Sequence, residues 1–173
     1  EIFNNKNIDF KMNITAENVR YNENIKNIIL ESKIQDGLID TDNTKFEWKD
    51  FANFELTDTL VFVRDGDLVL DGKLKININD YKKVYKFLVT PKKYRDKIDQ
   101  IDLNFTYNFD KKVAKLKDVK IDNKINQNVN RILNDVILKK NNFENKIYFK
   151  NLLNAALKNY AGWIIFFGST ILI

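Results

Sequence analysis

Five aliphatic residues, Leu68, Leu70, Leu74, Ile76 and Ile78, alternate with Asp67, Asp71, Lys73, Lys75 and Asn77. A period of two places the aliphatics on one face of an extended ribbon and the polar groups on the other, so the stretch is expected to form a strand that is wet on one side only. It is entered from Leu60–Val63 through Arg64-Asp65-Gly66-Asp67, whose Asp-Gly pair suits the positive φ of a tight hairpin turn. The pattern recurs in Ile101, Leu103, Phe105, Tyr107 and Phe109, the longest alternating run in the chain. Asp110-Lys111-Lys112 turns it and Val113–Ile121 returns. The apolar phase shifts between Leu116 and Val119, which predicts a bulge near Asp118.

Shorter ribbons of the same kind precede these. Ile8, Phe10, Met12 and Ile14 alternate with polar residues, Val19–Tyr21 extends the pairing, and Ile28–Ile34 forms another strand. Gln35-Asp36-Gly37 is a turn signal, followed by Leu38–Thr41, a polar loop to Thr44, and a strand with Phe46 and Trp48 on one face. Every one of these segments is apolar on a single side.

Helical periodicity enters twice. Asn79-Asp80 can cap the first turn of a helix near 80–89, because a short acceptor side chain satisfies its free N–H groups. Tyr81, Val84, Tyr85 and Leu88 follow at helical spacing, and Thr90-Pro91 stops them. From Asn123 the period becomes 3.6. Ile125, Val129, Ile132, Leu133, Val136 and Ile137 form one stripe, and Ile147, Leu152, Leu153, Ala156, Leu157 and Tyr160 form another, with Lys139–Asn142 as the link. The second helix is expected to end at Ala161-Gly162, where glycine suits a C-terminal cap. The apolar run from Trp163 to Ile173 falls short of the ~20 residues of a membrane span. It fits a truncated span, a buried strand or an out-of-frame tail equally.

The 173 residues suffice for one domain, although the absence of a starting Met and the apolar ending are compatible with a fragment. Net charge is +5, and residues 110–160 hold 12 Lys/Arg against 5 Asp/Glu. A basic end of this kind suits anionic lipid headgroups or nucleic acid, or is simply a solvated face. With no Cys there is no disulfide framework and no thiolate metal site, and with no His there is no imidazole base, ligand or triad. No glycine-rich phosphate loop is present. Asp65 and Asp67 bracket a hairpin glycine without the further acids of a calcium loop. Asp99 and Asp102 are more simply solvated strand residues than a glycosidase pair. Phe105, Tyr107 and Phe109 beside Lys111 and Lys112 could stack on bases, but a buried or lipid-facing strand explains them more directly. The expectation is therefore a non-enzymatic protein with no cofactor and no metal, and with nucleic acid as a disfavoured partner.

The segment DGDLVLDGKLKININDYKKVYKFLVTPKKYRDKIDQIDLNFTYNFDKKVAKLKDVKIDN, with the helix INQNVNRILNDV and the ending NKIYFKNLLNAALKNYAG, resembles the C-terminal part of bacterial AsmA-like proteins. The resemblance covers about the last hundred residues and rests on strand–helix–strand order and patterned words such as LVLDGKLKI and IDLNFTYNFD. AsmA-like proteins are similar to the repeating β-groove family of bridge-like lipid carriers. The resemblance implies a periplasmic location, attachment to the inner membrane by an N-terminal anchor that this chain does not contain, and phospholipid transport between inner and outer membrane. The tail WIIFFGSTILI departs from the pattern.

The expected fold class is α+β: a curved, mainly antiparallel β-sheet forming a β-groove, with one internal helix and two C-terminal amphipathic helices. Residues 1–122 are the groove segment, 123–162 the helical pair and 163–173 the tail. Two helical stripes cannot cover every one-sided strand from Ile8 to Ile121, so part of the apolar face is left for acyl chains. The groove candidates are Leu68, Leu70, Leu74, Ile76, Ile78, Ile101, Leu103, Phe105 and Tyr107. Lys139, Lys140, Lys146 and Lys150 are the candidates for meeting an anionic membrane surface. The rival is a structural or interaction module whose apolar face is filled by its own helices and by Trp48, Phe51 and Phe54.

Overall fold

The computed structural model describes residues 8–20, 23–134, 137–139 and 145–169. Among the described residues ten strands form one antiparallel sheet: β1 (Phe10–Asn18), β2 (Ile25–Gln35), β3 (Leu38–Asp40), β4 (Lys45–Trp48), β5 (Ala52–Arg64), β6 (Asp67–Ile78), β7 (Gln100–Asn108), β8 (Val113–Ile121), β9 (Lys124–Ile125) and β10 (Ile137–Lys139). Their order is β1-β2-β3-β5-β6-β7-β8-β10, so the chain runs back and forth across a curved sheet. Off that path, β4 lies between β2 and β5, and β9 pairs with β8. The helices are α1 (Tyr81–Leu88), α2 (Gln127–Asn134) and α3 (Lys146–Ser169), with a 3-10 turn at Lys92–Tyr94.

The hairpins follow from their turn residues. Asp36-Gly37 and Asp65-Gly66 all have positive φ, which twists a two-residue loop in the same hand as the strands it joins. Three strands carry an extra residue opposite a regular partner, and in each case an Asn or Asp adopts the left-handed conformation: Asn27 in β2, Asp58 in β5 and Asp118 in β8. Short polar side chains tolerate this conformation best after glycine. The bulge expected near Asp118 is thus present, and two others are added.

Two of these bulges are tied together on the outer face. Asp58 pairs with Lys73 of β6, and Asn104 of β7, opposite Lys73 in the register, donates to Asp118 at 2.8 Å. Bulges bend a strand and increase its twist, so a pair set level across four strands curves the sheet at that line. Gly72 lies between them on the opposite face, where a Cβ would sit 2.9 Å from the Thr59 Cα. The absent side chain is what lets the β5 bulge close over β6.

Register places apolar residues level with one another across the inner, helix-bearing face. Phe10, Ile34, Ile39, Val61, Leu70, Tyr107 and Ala114 are successive cross-strand partners through β1, β2, β3, β5, β6, β7 and β8. Phe46, Phe54, Ile76, Ile101 and Ile121 form a second row. Helices cover only one end of this face. There Tyr85, Leu88, Ile98, Val119, Ile121, Val129, Leu133, Ala156 and Leu157 form the buried core.

Several boundaries differ from the expectations. β1 ends at Asn18, so Val19 and Arg20 do not continue the strand, and Tyr21 lies outside the described residues. The first C-terminal helix is shorter at both ends than its stripe. Lys124–Ile125 hydrogen-bond to β8, and Ile137–Lys139, expected to end the helix and begin a link, pair with Val113–Lys115 as β10. A free strand edge with unpaired N–H and C=O groups captured them despite their helical spacing. Val136 and Lys140–Asn142 lie outside the described residues.

The second helix does not stop at Gly162; α3 runs through it to Ser169. Glycine in a helix interior costs about 1 kcal/mol relative to alanine but does not by itself end the helix. Trp163–Ser169 are accordingly helical rather than a strand, and residues 170–173 lie outside the described residues. No helix among the described residues is long and apolar enough to cross a membrane.

Candidate functional site

The inner face encloses a cavity of about 830 Å³, open on one side and lined almost wholly by apolar side chains. That volume lies within the ~300–1,000 Å³ of small-molecule sites. Its floor comes from alternate residues of β5 to β8, because a strand sends every second side chain to the same face. Leu70, Leu74, Ile76 and Ile78 of β6 and Ile101, Leu103, Phe105 and Tyr107 of β7 all line it. Leu68 shares their face by alternation but does not line the cavity; its backbone instead accepts from Phe109 at the end of the sheet.

Residues outside the candidate set complete the walls. Phe46 and Phe54 stack with ring centroids 4.7 Å apart, and Leu56 extends the floor. Trp48 meets Phe87 of α1 edge-on at 4.9 Å and Phe51 at 5.1 Å. Trp48 and Phe54 both line the cavity. From the helices come Tyr81, Val84, Leu88, Leu152 and Leu153. The helical stripes were legible as core-facing positions, but nothing in their spacing said that the helices would stop short of the far end of the sheet.

The covered end is held by side-chain amides that no sequence pattern marked. Asn130 of α2 accepts from the Val119 N–H at 2.6 Å and donates to the Val119 carbonyl at 2.7 Å, imitating a neighbouring strand beside the Asp118 bulge. Asn154 of α3 donates to the Leu88 carbonyl at 2.6 Å and hydrogen-bonds the Thr90 hydroxyl, fixing the end of α1. Such bonds satisfy backbone groups that a bulge or a helix terminus would otherwise leave bare.

Polar features within the cavity are few. The Tyr85 hydroxyl is buried and has no hydrogen-bond partner among the described residues. Burial pushes that phenol well above its ordinary value, and Asp96 and Tyr160 nearby push in the same direction, so it stays a neutral donor. Lys150 is the one cation on the lining, with its Nζ 4.1 Å from the centre of the Phe87 ring. This places one of the four membrane-surface candidates at the cavity. Of Lys139 and Lys146 only the backbone is described, and Lys140 lies outside the described residues.

The acidic pairs weighed in the sequence serve the outer surface. Asp67 accepts from Lys111 and from Asn108 (2.9 Å), Asp99 pairs with Lys97 at 2.7 Å, and Asp102 accepts from Gln100 at 2.6 Å. Asp65 lies in the hairpin turn with φ 53°. Among the described residues no group of three or more acids could hold a metal ion. The arrangement can sequester hydrocarbon, with three tyrosines (Tyr81, Tyr85 and Tyr107) and the Lys150 ammonium on the lining. Family models, curated proteins and solved structures return no match to this chain.

Proposed function

We propose that this chain is a non-enzymatic lipid-binding segment that takes acyl chains into the trough between β5 and β8. The observation that carries the reading is the roughly 830 Å³ apolar cavity, which the helices cover at one end and leave open at the other. Burying hydrocarbon there gains about 25 cal/mol per Å² of apolar area removed from water. Lys150 offers a charge to an anionic head. The resemblance to the C-terminal part of AsmA-like proteins supports a phospholipid as the ligand and the bacterial periplasm as the setting, with the chain conducting lipid between inner and outer membrane as part of a longer anchored protein.

Photo-crosslinking residues introduced singly at Leu70, Phe105 and Asn104 test this reading in cells. Leu70 and Phe105 line the trough, whereas Asn104 faces outward beside Lys73 and Lys117. Capture of phospholipid at the first two positions and not the third is expected. Capture at none, or equally at all three, would overturn the reading and leave a β-rich interaction module with a closed core.

A further inference from the structure

Residues 81–95, which make α1 and the 3-10 turn, contain six cations and no Asp or Glu. Lys83 is held by Asp50, and Arg95 donates to the Thr90 carbonyl at 2.7 Å. Lys82, Lys86, Lys92 and Lys93 are exposed, and so are Phe87, Val89 and Pro91 of the same segment.

Val89 is the unusual member. It is 75% exposed and sits in the left-handed region at φ 60°, ψ 35°, closing α1 where glycine is the usual residue. A β-branched side chain held there costs roughly 1–3 kcal/mol. The fold holds it there firmly. Val89 and Thr90 N–H donate back to the Lys86 and Tyr85 carbonyls, while Asn154 fastens Leu88 and Thr90, both buried, on either side. No packing among the described residues offsets the strain, because the side chain points into solvent. Its use therefore lies outside the fold.

We propose that this segment docks onto an anionic phospholipid bilayer, with Val89 and Phe87 entering the interface and the exposed lysines meeting lipid phosphates. Charge complementarity selects the surface: four exposed ammonium groups face outward with no acid among residues 81–95. The exposed apolar residues select a bilayer over a nucleic acid, whose phosphates would engage the lysines and leave Val89 unused. Phe87 also lines the cavity, and Lys150 lies over its ring, so the docking segment adjoins the wall of the trough. The choice of lipid as partner rests on the acyl-chain reading, and the two are separable by experiment.

Co-sedimentation of the full chain with phosphatidylcholine vesicles, with and without phosphatidylglycerol, reads the docking directly. Binding only to the anionic vesicles, weakening as salt rises, is expected. Lys86→Gln and Lys92→Gln should each lower it about five-fold. Val89→Gly gives an opposed pair of readouts, since relief of strain raises the melting temperature while loss of the side chain lowers vesicle binding about ten-fold. Uptake of a fluorescent fatty acid in solution separates this from the trough: Leu74→Glu should lose uptake and keep vesicle binding, and Val89→Gly should do the reverse. Equal binding to neutral vesicles, unchanged binding by Val89→Gly, loss of vesicle binding in Leu74→Glu, or lysine variants that lose only duplex DNA would each overturn the docking surface.

Discussion

The two ends of the inner face are built from the same strands and line the same cavity, yet one carries a buried cluster and the other does not. On β7, Ile101 and Leu103 pack against the buried cluster under α1, α2 and α3, while Phe105 and Tyr107, farther along, lie outside it; all four are half-buried and line the cavity. On β8, Val119 and Ile121 are buried whereas Leu116 is only half-buried. Residue type does not separate the ends, since both are aliphatic and aromatic. What separates them is the span of the helices. Eight-residue α1 and α2 are each only about 12 Å long, against nine to thirteen residues at ~3.4 Å each in β5 to β8, and the longer α3 packs on α1, α2 and the 3-10 turn rather than along the strands.

Equivalent truncations at the two ends are therefore expected to cost unequally. Leu133→Ala, at the covered end, removes a side chain 5% exposed and is expected to destabilise by about 3 kcal/mol through lost burial and a residual cavity. Leu70→Ala, on the trough floor, should cost under about 1 kcal/mol in ligand-free protein, because part of its surface already meets water. Chemical denaturation of both variants checks the contrast, and equal losses would mean the trough is packed. Asn130→Leu should cost about 2 kcal/mol, since it strips both backbone partners from Val119, and it should act only at the covered end. Hydrogen exchange of β8 beside the bulge would locate the effect.

An effect similar in size to that of Asn130→Leu is expected at the line where the sheet bends. Gly72→Ala puts a methyl 2.6 Å from the Thr59 hydroxyl oxygen and 2.9 Å from its Cα, so the β5 bulge must shift, at about 1–3 kcal/mol. Thr59→Gly in the same chain should recover part of that loss in a denaturation series. The smallest effect belongs to the outer surface. Lys111 beside Asp67 holds its carboxyl below the usual value, with Asn108 adding to the effect. A carboxyl lowered in the folded state contributes stability above its unfolded value, and that contribution is lost as pH falls through the folded one. Asp67→Asn should therefore flatten the stability profile slightly below about pH 4 while leaving ligand uptake untouched.

Much of this division was legible in the sequence, and the part that was not has a physical reason. Period-two alternation put all nine groove candidates on one face, because a strand has only two, and eight of them line the cavity. The Asp118 bulge showed as a phase slip. The Asp58 bulge did not, because Leu60 and Phe62 are apolar on the outer face and disguise the change. Leu68 shares the face without lining the cavity, because alternation gives a face but not how far along it a cavity runs. β9 and β10 were read as helix since pairing to a distant edge leaves no local trace. Asn130 and Asn154 carried no signal, as an asparagine that replaces a neighbouring strand looks like any surface amide.

Trp48 provides the most direct test of the trough, because it lines the cavity and the chain has only one other tryptophan, Trp163. In a Trp163→Phe background, a fatty acid brominated along its chain should quench Trp48 fluorescence to saturation. Unlabelled oleate should reverse the quenching, and Leu74→Glu should abolish it. Emission that stays unchanged as brominated chain is added, in protein that remains folded, would contradict the account and return the inner face to an ordinary closed core.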